Sequence, residues 1–195
     1  MKIGVIGCRF NTYNFLKQLN IDNIKIDVII SRKFKKTNLK NEYVDLSLLA
    51  KNTNTNIILS KKYTLNSATI KKILELKLDV IFCVGWQRIL PNNLINGVRL
   101  GVFGMHGSQY KLPEGKGRSP QVWSIIQDSN KYYSHIFKYN SHADSGEIIF
   151  IKKIDITNSN TAGDLQTKSQ IIFNQFIKKN FNNLEKVLSS GKKQV

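Results

Sequence analysis

Cysteine is nearly absent: Cys8 and Cys83 are the only two among 195 residues. One follows the first apolar run and the other sits inside the fourth, poor material for a disulfide framework or a metal cage. Both read as small buried side chains, and no metal is expected. Acidic residues are also scarce, 13 against 30 lysines and arginines, which leaves a net charge of +17. A positive field of that size favours encounter with an anionic partner such as a nucleotide, a tRNA or a polyglutamylated cofactor. Lysine, asparagine and isoleucine are abundant everywhere in the chain, however, so diffuse surface charge accounts for the same number. No apolar run is long enough to span a bilayer, and the first residues lead into a strand pattern without a signal-peptide cleavage region. The expectation is a cytoplasmic protein with no membrane partner. There is no repeat and no linker rich in proline or serine, so residues 1–195 are expected to form a single domain. A Gly-x-Gly-x-x-Gly fingerprint is missing from the first turn, Gly7-Cys-Arg-Phe-Asn11, which argues against a dinucleotide.

What the chain does have is rhythm. Apolar, β-branched runs at Ile3–Ile6, Ile26–Ile30, Ile57–Leu59, Val80–Val84 and Val102–Phe103 alternate with helical patterns around Tyr13–Leu19, Val44–Ala50 and Ala68–Leu78. In the last of these, Ile70, Ile73, Leu74 and Leu78 fall on one stripe while Lys71, Lys72 and Glu75 fall on the other. Continuous apolar strands with helices between them predict an α/β protein with a mostly parallel, twisted sheet covered on both faces. After Trp123 the rhythm changes: Tyr132–Tyr139 and Ile148–Ile154 read as two strands of antiparallel character. A long C-terminal helix should begin at Thr161, where Thr161-Ala-Gly-Asp164 resembles a capping box, and carry Leu165, Ile172, Phe173, Phe176, Ile177, Phe181, Leu184 and Leu188 as its stripe.

Two segments carry chemistry. Gly104-Met-His-Gly-Ser-Gln-Tyr-Lys-Leu-Pro-Glu-Gly-Lys-Gly-Arg-Ser-Pro-Gln-Val-Trp123 supplies a histidine and a glycine-rich loop, and Ala143-Asp-Ser-Gly-Glu-Ile148 supplies a carboxylate. His106 and Asp144 lie 144 − 106 = 38 positions apart. No helix or turn joins residues so distant, so the pair works only if the tertiary fold makes them meet.

The run His106-Gly-Ser, Leu112-Pro113, Gly117-Arg-Ser-Pro-Gln-Val-Trp123 and Asp144-Ser-Gly146 resembles the signature of 10-formyltetrahydrofolate-dependent formyltransferases. The likeness extends from Met1 to about Ile154. It is strongest to the sugar-nucleotide N-formyltransferases, including the formyltransferase domain that modifies 4-amino-4-deoxyarabinose. It implies a Rossmann-like formyltransferase fold, with 10-formyltetrahydrofolate as co-substrate. His106 and Asp144 would be catalytic, the histidine moving a proton and the carboxylate fixing its tautomer. The folate site would be built from Arg88, Ile89 and Leu90 in the loop after the fourth run, with Trp86 lining it, and from Arg118, Asn140, Ser141, His142, Ala143 and Asp144.

This chain departs from the family in two places. The usual Asn-x-His becomes Gly104-Met105-His106, which removes a side chain that donates to the oxyanion of the tetrahedral intermediate. Two extra residues between Ser108 and Leu112 bring Gln109, Tyr110 or a re-aimed backbone N–H forward as substitutes. The first turn also lacks the glycine-serine phosphate cradle of glycinamide ribonucleotide formyltransferases. Arg9 could pair there with an acceptor phosphate, or be an exposed structural arginine.

The resemblance implies an enzyme that formylates the amino group of a nucleotide-linked amino sugar, a small-molecule acceptor; a homodimer is compatible with it. Two other classes stand beside that one. Methionyl-tRNA formylation is supported by the charge and by the basic stretch Arg32–Lys40, although those enzymes normally carry a further C-terminal β-barrel domain, for which this chain has no room. A non-catalytic folate or nucleotide binder is suggested by Gly104.

Overall fold

A computed structural model of the chain describes residues 1–33 and 43–194. Residues 34–40, the greater part of the basic stretch singled out above, lie outside the described residues. The chain divides into two compact units, Met1–Phe103 and Gly104–Val195. Among the described residues seven strands, numbered in chain order, follow the order β3-β2-β1-β4-β5-β6-β7.

The first unit holds β1 (Ile3–Ile6), β2 (Val28–Arg32), β3 (Asn56–Ser60) and β4 (Val80–Cys83), with helices α1 (Phe10–Ile21), α2 (Ser47–Asn52), α3 (Ser67–Glu75) and α4 (Asn92–Gly97). β1 pairs in parallel with β2 on one side and β4 on the other, and β3 pairs in parallel with β2. Successive side chains of a strand point to opposite faces. Since all four residues of β1 and of β4 are buried, both faces of the sheet are covered there. Edge strand β3, by contrast, is exposed or half-buried through its first four residues. Two carboxylates secure the strand starts: Asp27 Oδ2 accepts from Ile3 N at 2.7 Å and Asp79 Oδ2 from Lys2 N at 2.6 Å. Both cysteines are free and buried. The strand order reverses about β1, with β2 and β4 leaving on opposite sides; in open sheets that is where a ligand crevice opens at the carboxyl ends. Those ends carry the turns at residues 7–9 and 85–87, joined by Arg9 Nη2 donating to Gln87 Oε1 at 2.9 Å.

β5 (Gly101–Ser108) begins in the first unit and ends in the second. It is longer than the Val102–Phe103 run suggested, so His106 lies within a strand and not at the mouth of a loop. The second unit continues with α5 (Pro120–Ile126), β6 (Lys131–Lys138), β7 (Ile148–Asp155) and α6 (Ala162–Asn180), then a 3-10 turn at Phe181–Asn183 and α7 (Leu184–Leu188). β6 and β7 are antiparallel, with a bulge at Ile136/Phe137. Thr161 caps α6: its Oγ1 accepts from Asp164 N at 3.2 Å while Asp164 Oδ2 accepts from Thr161 N at 2.8 Å. The long terminal helix is present but stops at Asn180, and Phe181, Leu184 and Leu188 follow on the 3-10 turn and α7. Tyr132, Ile154 and Leu165 form a core cluster joining β6, β7 and α6. The basic tail is tied down: Lys192 bridges Ile148 through two backbone hydrogen bonds of 2.7 and 2.9 Å.

Candidate active site

His106 and Asp144 meet in the second unit. His106 Nδ1 lies 3.5 Å from Asp144 Oδ1, with the imidazole side chain 8% exposed and the carboxylate 23% exposed. The other ring nitrogen, Nε2, donates to the Gly115 carbonyl at 2.7 Å. A carbonyl oxygen only accepts, so Nε2 carries a proton and Nδ1 is left facing the carboxylate.

Each partner is placed by backbone that the sequence makes possible. His106 is held by β5, whose alternation puts Gly104 and Ser108 on the same side of the strand. Asp144 belongs to the turn joining β6 to β7, where Asn140 Oδ1 accepts from His142 N at 2.9 Å and from Ser145 Oγ at 2.7 Å. Asp144 itself has φ +52°, the left-handed region that an L side chain other than Asn or Asp enters at a cost of about 1–3 kcal/mol. A Cβ on Gly146 would come within 1.5 Å of the Lys138 carbonyl, so the turn closes only with glycine there. The carboxylate also accepts from Gly117 N, at a long 3.4 Å. At the back of the turn, Gln194 Nε2 donates to the carbonyls of Asp144 and Gly146 at 3.0 and 2.9 Å. Sequence reasoning missed this clamp, since nothing local marks a glutamine 50 residues away.

His135 is a second residue that nothing in the local sequence marks. It is fully buried in β6. Leu112 N donates to its Nε2 at 3.2 Å, so Nδ1 carries the proton and donates to the His106 carbonyl at 3.2 Å. Burial pushes its pKa down to about 4, outweighing the hydrogen bond to the His106 backbone, which raises it. A neutral imidazole thereby ties β6 to the β5 carbonyl of the histidine and to the loop that follows it.

The residues expected to hold folate are divided between the units. In the first, Arg88 Nη1 donates to the Gln87 carbonyl at 2.9 Å and its guanidinium lies 5.4 Å over the Tyr63 ring. Ile89 is 69% exposed and Leu90 is core. Trp86 Nε1 is buried with no hydrogen-bond partner, a directed donor in the loop that the resemblance gives to a flat heterocycle. In the second unit, Arg118, Asn140, Ser141, His142 and Ala143 are exposed, and His142 Nδ1 is 2.9 Å from Ser141 Oγ. Of the residues expected to stand in for the missing asparagine, Gln109 donates to Gln127 and Tyr110 is 51% exposed. Among the described residues no cluster of three or more metal-ligating side chains occurs, and no helix is long and apolar enough to cross a membrane.

Comparison with known proteins gives the same direction. Methionyl-tRNA formyltransferase of Bacillus velezensis is 32% identical over 102 residues, covering 52% of this chain and 32% of that protein. The chain thus spans about a third of that relative's length. Among solved structures, the N-formyltransferase of Helicobacter canadensis in complex with folinic acid and dTDP-3-aminofucose superposes with a TM-score of 0.72 at 21% identity, covering all of this chain and 68% of that one. Phosphoribosylglycinamide formyltransferase of Bacillus halodurans gives 0.76 at 16% identity, covering 97% and 96%. The formyl transferase family matches residues 1–188, across both units. The chain belongs to the formyl transferase family.

Proposed function

We propose that this protein transfers a formyl group from 10-formyltetrahydrofolate to the primary amine of a nucleotide-linked amino sugar. The observation that supports this best is the approach of His106 Nδ1 to Asp144 Oδ1 at 3.5 Å, made by residues that nothing in the local chain would bring together. The folate supplies the formyl carbon and an amine leaving group. The acceptor nitrogen's lone pair forms the new N–C bond while the carbonyl π pair moves onto oxygen. The His106–Asp144 pair takes the proton that nitrogen must shed. When the oxygen pair re-forms C=O, the bond to the folate nitrogen breaks toward that nitrogen, which receives the proton back. A histidine is suited to both halves because an imidazole nitrogen can accept a proton and give it back.

For the folate we assign, within the first unit, Arg88, Ile89 and Leu90 with the Trp86 N–H as a directed donor. Within the second we assign Arg118 and residues 140–144. An apolar slot with a few fixed polar groups is what a pteridine needs. The sugar-nucleotide acceptor is supported by the motif likeness and by the likeness in fold to the Helicobacter canadensis enzyme.

Methionyl-tRNA formylation is the second reading, favoured by the identity with curated tRNA formyltransferases and by the charge of +17. The test is to incubate the protein with 10-formyltetrahydrofolate and a panel of amino-sugar nucleotides, methionyl-tRNA and glycinamide ribonucleotide, and to look for an added formyl group by mass spectrometry. Formylation of the sugar arm alone supports the first reading. Formylation of the tRNA, with a gel shift that weakens steeply with salt, selects the second. Folate binding with no product from any amine selects a binder that has lost turnover.

A further inference from the structure

Resting on the formyl-transfer reading, we propose that the Tyr139 hydroxyl is the hydrogen-bond donor to the oxyanion formed at the formyl carbon. Formyl transfer puts a full negative charge on that oxygen, and a donor aimed at it is among the largest contributions a site can make. The position two residues before His106, on β5, is glycine and offers no side chain. Its space is nonetheless filled. A Cβ built on Gly104 would lie 2.7 Å from both Cε1 and Oη of Tyr139 and 2.9 Å from Cζ, so the phenol occupies the volume a residue-104 side chain would take.

The ring is held there. Tyr139 leaves β6 immediately before the turn at residues 140–144, and it stacks on buried Phe137 with centroids 5.0 Å apart and planes 21° from parallel. One end of the short segment 139–144 thus carries the phenol against the histidine's strand and the other carries the carboxylate against the imidazole. A phenol donates a strong O–H bond, and half-burial strengthens it. Glycine at 104 and tyrosine at 139 then form one exchange: the donor is supplied from the neighbouring strand because its own strand makes room for it.

The experiment uses the full chain and follows tetrahydrofolate release from 10-formyltetrahydrofolate, with water or an amine of the panel as nucleophile. With water, the O–C bond forms, the same oxyanion appears, and formate and tetrahydrofolate leave. Tyr139→Phe keeps the ring packing and removes only the donor. Turnover should fall about 10²-fold with KM for the folate unchanged. As a readout independent of turnover, an aldehyde analogue of the folate that hydrates to a tetrahedral gem-diol should lose a similar factor in affinity for Tyr139→Phe, while folinic acid binds as before. Wild-type turnover in Tyr139→Phe, or equal weakening of both ligands, overturns the assignment. Should the phenylalanine variant fail to fold, 3-fluorotyrosine at position 139 decides: a more acidic phenol moves the alkaline limb of the kcat profile to lower pH, and a limb that stays put rejects the donor role. If the wild-type protein releases no tetrahydrofolate at all, the formyl-transfer reading falls and the tyrosine's role with it. An inactive His106→Ala beside a fully active Tyr139→Phe removes the tyrosine alone.

Discussion

The two units spend their buried volume differently. Among the described residues of Met1–Phe103 the buried polar side chains are Thr12, Ser31 and Ser60, and strands β1 and β4 are apolar apart from Gly4. In Gly104–Val195 both buried histidines appear, with Ser108, Ser124, Ser134, Ser169, Gln170 and Asn174. Buried polar groups cost free energy unless they are paired. A unit that retains many of them concentrates buried polar groups where the chemistry is placed, while the apolar sheet core of the other serves as scaffold. The contrast implies that catalysis and stability should respond to different substitutions in the two halves of the chain.

The sharpest way to break that contrast is to remove the proton-moving pair. His106→Ala or Asp144→Asn should lower turnover by about 10²–10⁴ while the chain still folds. Near-native activity in either variant would end the mechanism. The mirror experiment belongs to the first unit, where Phe15 is fully buried and meets Phe82 edge-on at 6.0 Å. Phe15→Ala should cost about 3–5 kcal/mol in urea unfolding, with kcat of the folded fraction unchanged. If kcat fell as far as in His106→Ala, the scaffold reading of the first unit would be wrong.

The same contrast decides what the sequence could show. β1 and β4 were legible because strands buried on both faces must be apolar throughout, and the alternation with helices then gives a parallel sheet. Helix α4 was not, because Asn-Asn-Leu-Ile-Asn-Gly is too short to show a stripe. Helix α5 was hidden by its entrance, since Ser119 precedes it at φ +55° without a side-chain cap. The second half of β5 reads as loop, for Gly104-Met-His-Gly-Ser holds two glycines. Tertiary packing makes it a strand: a Cβ at Gly104 would strike Tyr139, and one at Gly107 would strike Tyr132. His106 and Asp144 were found only because their flanking residues form a motif. His135, Tyr139 and Gln194 have no such neighbours, and each acts through a contact on another strand or a distant segment.

A smaller effect tests whether the buried polar groups of the second unit also shape stability. The neutral His135 is held in the fold with its pKa near 4, below the ordinary value of 6.5. The unfolded chain therefore binds the proton more readily, and the stability that depends on neutral His135 is complete above pH 6.5. It is lost progressively as pH falls toward 4, by roughly 3 kcal/mol across the window. Urea unfolding of the wild type and of His135→Phe at about pH 7 and about pH 4.5 measures this. The substitution should lower stability at neutral pH, by leaving Leu112 N and the His106 carbonyl without that partner, and should flatten the slope between the two pH values. A variant with the wild-type slope would assign the acid sensitivity to another group.

The mildest comparison lies on the surface of the second unit, where polar residues bond in water rather than in the core. Thr161 Oγ1 satisfies Asp164 N at the start of α6, but the Thr161 backbone N–H keeps its own bond to the Asp164 carboxylate at 2.8 Å whatever side chain stands at 161. Thr161→Ala thus removes one half of the capping box. The cost should be about 1 kcal/mol in urea unfolding, with kcat untouched. The value of the experiment is its smallness. Exposed and buried polar contacts share this unit, and this exposed one should leave turnover alone; a kcat change at Thr161, remote from the His106–Asp144 pair in sequence and exposed, would mean that the second unit responds as one mechanical body rather than through the particular contacts at His135, Tyr139 and Asp144.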